Sequence, residues 1–294
     1  MSGDEGGLII EGDNLEVTRS LPSESFRLIY LDPPFNTGRT QRRARTTSRR
    51  VTASGRVGFK GVRYERVVEQ VTSYDDDFAD YWAFLEPRLE EAWRLLSKDG
   101  TLYLHLDYRE VHYAKVLLDA LFGRECFLNE IIWAYDYGAR TKSRWPSKHD
   151  TILVYVKDPS SYYFNSEDVD REPYMAPGLV TPEKAARGKL PTDVWWHTIV
   201  SPTGKEKTGY ATQKPLGVLR RIIQASSQVG DTVLDFFAGS GTTGVAAAEL
   251  GRDFILVDTN PQAIATMRKR LPQANCRRHG GGTQKQAGDP DPDR

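Results

Sequence analysis

Apolar positions along this chain follow two rhythms, one of strands and one of helices. Leu8-Ile9-Ile10 predicts a short strand ending in the acidic turn Glu11-Gly12-Asp13-Asn14, and Phe26–Leu31 predicts a buried strand preceded by a short helix. Phe78–Leu96 carries apolar residues at helical spacing, with Pro87 as a potential kink. Lys98-Asp99-Gly100 stops that helix, Thr101–Leu106 predicts a strand, and Val111–Phe122 predicts another amphipathic helix. From about Asn129 to Lys207 the pattern is irregular, with Thr151–Val156 as its one convincing strand and pieces such as Ala176-Pro177-Gly178 interrupting it. Regularity returns with a helix over Pro215–Ser226. A strand–turn–helix–strand unit follows, over Asp231–Phe236, Gly239–Leu250 and Asp253–Val257. Beyond Arg270 the chain turns polar and reads as a disordered tail.

At 294 residues the chain suits one large α/β domain with a smaller recognition element. Lysine plus arginine and aspartate plus glutamate both number 40, so attraction to a polyanion must be local. It concentrates at residues 39 to 66, where ten Lys/Arg face the single acid Glu65 and the sequence reads as a loop. Cys126 and Cys276 stand far apart without CxxC spacing, and the five histidines are scattered, so neither a disulfide framework nor a metal site is expected. His105, at a strand end, reads as a packed histidine rather than a ligand. No basic stretch leads an apolar one at the N-terminus, and no run approaches membrane-spanning length, so a cytoplasmic protein with no membrane contact is expected.

Asp32-Pro33-Pro34-Phe35 carries the first chemical signal. Two prolines cannot extend the preceding strand, because they lack donors and fix φ. The chain must leave as a stiff loop presenting a carboxylate and an aromatic ring. It is either a plain turn or a clamp offering an acceptor and a stacking face to a flat, amino-bearing substrate. The second signal is Asp235-Phe236-Phe237-Ala238-Gly239-Ser240-Gly241-Thr242-Thr243-Gly244, which links a strand to a helix and contains GxGxxG. Asp258, nineteen residues after Gly239, lets an acid grip two ribose hydroxyls, so the pair reads as a nucleoside site for NAD or S-adenosylmethionine. No Gly-Lys-Ser/Thr follows, which excludes a nucleoside-triphosphate loop of that type.

DPPF, DFFAGSGTT and the segment Thr208-Gly209-Tyr210-Ala211-Thr212-Gln213-Lys214-Pro215-Leu216 together resemble β-class DNA amino-methyltransferases, in the order catalytic motif, irregular segment, cofactor motif. The resemblance covers roughly Leu8 to Arg270. It implies an α/β, doubly wound, mostly parallel sheet of the S-adenosylmethionine-dependent methyltransferase type, with an inserted irregular target-recognition region. The implied division is a catalytic half at 1–128, target recognition at 129–207, a cofactor half at 208–273 and the tail at 274–294. In such a permuted fold the first strand here would be third in the cofactor half, bringing Asp13 near the adenine of the cofactor; Asp13 reads equally as a helix cap. The resemblance implies catalytic roles for Asp32, Pro33, Pro34 and Phe35. It implies cofactor contacts from Asp13, Thr212, Lys214, Asp235, Phe237, Gly239, Gly241, Thr242 and Asp258.

Double-stranded DNA is the implied partner. Arg39, Arg42, Arg43 and Arg45 beside DPPF, and Arg140, Lys142, Arg144 and Lys148 among the aromatics of the irregular segment, suit phosphate contacts. Trp133, Trp195 and Trp196 read alternatively as a small aromatic core. The resemblance favours adenine N6 over cytosine N4, since members of that family with Asp at the first motif position are mostly adenine-directed. Neither cysteine follows a proline, so covalent attack on cytosine C6 is not suggested. A homodimer and a cognate restriction endonuclease stay open as partners. An NAD-dependent dehydrogenase shares the glycine motif but has no use for DPPF, and a non-catalytic DNA-binding protein would not need two intact sites.

Overall fold

A computed structural model of the chain describes residues 6–36, 80–138, 140–201 and 203–280, together with the backbone of strands at 41–50, 56–57 and 63–74. The chain opens with β1 (Leu8–Glu11), α1 (Asn14–Arg19) and β2 (Phe26–Leu31), followed by β3 (Gln41–Arg50), β4 (Arg56–Val57) and β5 (Arg63–Tyr74). Next come α2 (Tyr81–Leu95), β6 (Leu96–Leu106), α3 (Val111–Phe122), β7 (Phe127–Ala134) and β8 (His149–Val156). The remainder is α4 (Pro182–Arg187), β9 (Val194–Trp196), α5 (Leu216–Ser226) and β10 (Thr232–Asp235), then α6 (Thr242–Glu249), β11 (Asp253–Asp258), α7 (Pro261–Arg270) and β12 (Asn275–Arg278).

Nine strands form one sheet in the order β12-β1-β11-β10-β2-β6-β8-β7-β9. From β12 to β6 every pairing is parallel, while β8 runs antiparallel to both β6 and β7. Strands buried on both faces are mostly apolar, as β2 is apart from Arg27 and as β6 is from Leu102 to Leu104. Alternate residues feed two layers. Ile29 and Leu31 join Leu85 and Leu89 of α2 and Leu118 of α3, whereas Leu28 and Tyr30 join Leu219 and Ile223 of α5 and Ala246 of α6. Counting β10 as the first strand, β1 is the third; it pairs with β11 on one side (Leu8 opposite Ile255) and β12 on the other (Leu8 opposite Asn275), as the permuted arrangement implies. The windings from β10 and β2 run in opposite directions, so a topological switch point falls between them. Open parallel sheets bind ligands at the carboxyl ends of such strands.

Three expectations need correction. The basic segment is not a plain loop: β3 and β5 pair antiparallel from Gln41–Tyr74 to Arg50–Tyr64, and β4 extends this second sheet. Threonine and valine at 46, 47, 67, 68 and 71 give it strand propensity despite its charge. The recognition region is not irregular from residue 129, because β7, β8 and β9 complete the main sheet. Trp133 and Trp195 are buried there as core residues, while Trp196 is exposed. The polar stretch after residue 273 is not all tail: Asn275–Arg278 adds an edge strand whose backbone ladder on β1 needs no apolar side chains. Residues 281–294 of the expected tail lie outside the described residues.

Candidate active site

The catalytic-loop candidates follow the end of β2. Tyr81, at the start of α2, donates its hydroxyl to the Pro34 carbonyl at 2.8 Å. Asn36, at φ 51°, donates from Nδ2 to Glu110 at 2.8 Å, so the loop is tied at both sides. The Phe35 ring lies 6.0 Å from the ring of His105 between centroids. His105 is fully buried; its Nδ1 shares a 2.8 Å hydrogen bond with the Tyr30 hydroxyl, and its Nε2 lies 3.3 Å from Asp150. This is the packed, hydrogen-bonded histidine expected from the sequence. Burial pushes the Tyr30 phenol well up, with the charges of Asp32, Asp235 and Asp150 adding to it, so it stays a neutral wall of the site.

The cofactor candidates gather at the ends of β10 and β11. Asp235 accepts from the Phe237 amide at 3.0 Å and the Thr243 hydroxyl at 2.6 Å. Burial nevertheless pushes its carboxyl up to about 7, with Asp32 and Asp258 adding to the rise. Asp258 accepts from the amides of Gly239 and Asn260, both at 2.8 Å, and burial raises it as well. Between them the chain turns through Gly239 at φ 51° and Gly241 at φ 74°, where α6 begins.

These two groups of residues share one cavity of about 330 Å³, within the range that takes a cofactor-sized ligand. Asp32, Pro33, Pro34 and Phe35 line it, as do Asp13, Thr212, Lys214, Asp235, Phe237, Gly239, Thr242 and Asp258. Gly241 does not; a Cβ there would stand 2.7 Å from Met267 Cγ, so this glycine serves the close approach of α7. Asp13 lines the cavity, and it caps α1 through the amides of Leu15 and Glu16, the helix cap foreseen for it. The sequence reading missed Tyr30, Phe84, Arg88 and Tyr210 in the wall. Arg88 carried a signal, since it falls on the apolar face of α2 between Leu85 and Leu89. It is 9% exposed, donates to Asn14 at 2.6 Å and Asp13 at 3.2 Å, and stacks 4.0 Å over Phe84. A carboxylate fixed by backbone amides, a glycine turn and the nearby Phe237 ring are the donor set a nucleoside needs, so the residues present fit an adenosine-bearing methyl donor.

The link between β7 and β8 emerges at the same edge of the sheet, because Leu106 at the end of β6 pairs with Thr151 and Ala134 with His149. Arg140, Lys142 and Arg144 on it are exposed, and Arg144 lies 6.0 Å over the Tyr108 ring. Lys148 is half-buried and 3.9 Å from Asp136. Trp145, in the same link, is 94% exposed. Arg39 lies outside the described residues; Arg42, Arg43 and Arg45 stand on β3 opposite Ser73, Thr72 and Gln70, their side chains outside the description. Among the described residues no group of three or more His, Cys, Asp or Glu is placed to hold a metal, and no helix is long and apolar enough to cross a membrane.

With this geometry in view, comparison with known proteins gives a consistent family. The N6/N4 family model described as DNA methylase matches residues 26–269. The chain belongs to that family, the S-adenosylmethionine-dependent DNA amino-methyltransferases. It is 31% identical to the DNA adenine methyltransferase YhdJ of Escherichia coli K12 over 93% of this chain and 85% of that protein. It is 29% identical to the type II methyltransferase M.HpaI of Haemophilus parainfluenzae, over 90% and 73% respectively. The fold is shared with the cytosine-N4-specific PvuII DNA methyltransferase (TM-score 0.61, 16% identity, 91% of this chain and 87% of that one). It is shared too with the M1.HpyAVI–SAM complex (TM-score 0.57, 22% identity, 90% and 98%). The family match sets aside the dehydrogenase reading of the glycine motif.

Proposed function

We propose that this chain methylates the exocyclic amino nitrogen of one base at a specific site in double-stranded DNA, with adenine N6 as the favoured target. The observation that carries the reading is the shared cavity, which has Asp32 and Phe35 on one wall and Asp235, Gly239 and Asp258 on another. The name of the 31% identical relative favours adenine. Both adenine and cytosine would present the same N–C=N edge to Asp32, so the cavity itself does not choose between them.

The amino group of a base is a weak nucleophile because its lone pair is delocalised into the ring. Asp32 accepts one of its N–H groups and the Pro33 carbonyl the other, drawing the nitrogen towards tetrahedral geometry and aiming its lone pair. Phe35 stacks on the base, which must leave the duplex to reach it. S-adenosylmethionine supplies an electrophilic sulfonium methyl. Asp258 would hold its ribose hydroxyls, and the Gly239 turn, Phe237 and Asp13 would hold the rest of its nucleoside. Tyr30, a neutral wall close to Asp32, keeps water from the reacting nitrogen. Arg140, Lys142, Arg144 and Lys148, with the arginines of β3, contact phosphates on the duplex. The type II names of several relatives support a cognate restriction endonuclease as partner, and the enzyme's place is the compartment that holds the DNA.

Asp32→Ala tests the assignment. Methyl transfer to DNA should be abolished while cofactor binding, read by calorimetry, stays nearly intact. A variant that still methylates at the normal rate would show that Asp32 is not the clamp.

A further inference from the structure

Asp32 already has a cationic partner. Lys214 Nζ lies 2.7 Å from its Oδ1 and 2.6 Å from its Oδ2. The same ammonium stands 4.9 Å from the centroid of the Phe35 ring. Both ionic side chains are mostly buried, at 11% exposure for Lys214 and 15% for Asp32. The pair joins the catalytic loop to the segment leading into α5, 182 residues further along.

That segment is itself braced. Gln213 accepts from the Thr208 amide and hydroxyl at 2.9 and 2.8 Å and donates to the Glu206 carbonyl at 2.7 Å. The Glu206 carboxylate accepts from the Leu216 amide at 2.7 Å. Lys214 is therefore presented to Asp32 from a fixed strap, and motion of its long side chain alone suffices to break or make the pair.

The sequence reading gave Lys214 to the cofactor, yet its polar end goes to the base clamp. An ammonium here offers what an exocyclic amino group offers: N–H donors directed at the same two oxygens, beside the same aromatic ring. We propose that Lys214 is a stand-in for the target amino group, holding Asp32 until a base arrives and surrendering a carboxylate oxygen when the base is seated. This rests on the reading of Asp32 as the amino clamp. In the base-free protein the pair spares a mostly buried carboxylate from standing without a counter-charge near Asp235. In the base-bound protein, the bond from the amino nitrogen to the methyl group forms as the donor's carbon–sulfur bond breaks to a neutral thioether. Positive charge moves to the nitrogen and stays until one of its protons leaves to water. An ammonium still shared between both Asp32 oxygens would oppose that charge. Lys214 thus competes with the base and sets how strongly the site prefers one that carries an amino group.

The test compares two duplexes containing the enzyme's methylated site, one with the natural target base and one with its amino group replaced by hydrogen. The ratio of their dissociation constants measures the amino-dependent preference. Lys214→Met, which keeps an unbranched stem without charge, should raise that preference about tenfold, the scale of one charge-assisted hydrogen bond freed from competition. Lys214→Arg, whose planar fork suits both oxygens at once, should lower it. Cofactor affinity by calorimetry should change less than about twofold in either variant. Weaker cofactor binding by Lys214→Met with an unchanged preference would overturn the proposal and make Lys214 a cofactor ligand. A fall in preference in both variants would also overturn it, leaving Lys214 as a support for Asp32. The underlying reading of Asp32 fails separately, if Asp32→Ala retains the amino-dependent preference of the wild type.

Discussion

Replacing Asp235 by asparagine should stabilise the protein, and most strongly above neutral pH. Asp235 ends β10 and is 2% exposed. Burial carries its carboxyl from an ordinary value of 3.8 up to about 7, against the pull of Thr243 and the Phe237 amide. Between those two values the folded protein keeps a proton that the unfolded chain has released. Stability therefore falls as pH rises through this window, and the loss is complete above the folded value. Roughly three pH units at about 1.36 kcal/mol each set a ceiling of about 4 kcal/mol, which local relaxation reduces. Asparagine is nearly isosteric: its oxygen accepts from the Phe237 amide, and the Thr243 hydroxyl rotates to accept from its NH₂ group. Urea denaturation from about pH 4.5 to about 8.5 measures the difference directly. The variant's gain over wild type should be smallest at the acidic end and open to roughly 2–4 kcal/mol at the alkaline end. Parallel curves for the two proteins would refute the argument that a buried, partly protonated carboxyl sits at the end of β10.

Other outcomes follow from the cofactor turn and the DNA-facing edge. Gly241→Ala forces a Cβ to within 2.7 Å of Met267 Cγ at φ 74°; a loss of about 1–3 kcal/mol in chemical denaturation is expected. Arg270 reaches from α7 to the Ser240 carbonyl at 2.8 Å and the Thr242 hydroxyl at 2.9 Å. Arg270→Ala should loosen the glycine turn and weaken cofactor binding about tenfold in calorimetry. The double variant Arg140→Ala, Arg144→Ala should bind DNA more weakly and flatten the slope of log affinity against log salt by about two units. Its cofactor affinity should match that of the wild type.

The two motifs were legible because each is local. DPPF ends a strand by its own covalent restraints, and the glycines of DFFAGSGTT specify their turn by conformation alone. β2, α3, α5 and β11 were visible for a similar reason, since their apolar periods run unbroken. β7 was hidden because Asn129 and Glu130 interrupt its apolar run, and β12 because an edge strand can be built from Asn275, Arg277 and Arg278. The basic stretch after DPPF was read from its charge, which outweighed the valines and threonines that give it strand character. Within the cavity, what escaped was long-range. That Arg88 reaches Asp13 and that Lys214 reaches Asp32 depends on the sheet order, which brings together residues 75 and 182 positions apart. Asp13 was legible as a helix cap from its place before α1, and the same carboxylate also lines the cavity.

The most direct test of the account is nucleoside mass spectrometry of DNA incubated with the protein and S-adenosylmethionine carrying an isotopically labelled methyl group. The account predicts labelled N6-methyladenine from the wild type and none from Asp32→Ala. Label on cytosine C5, or equal label on the amino nitrogen from both proteins, would contradict it.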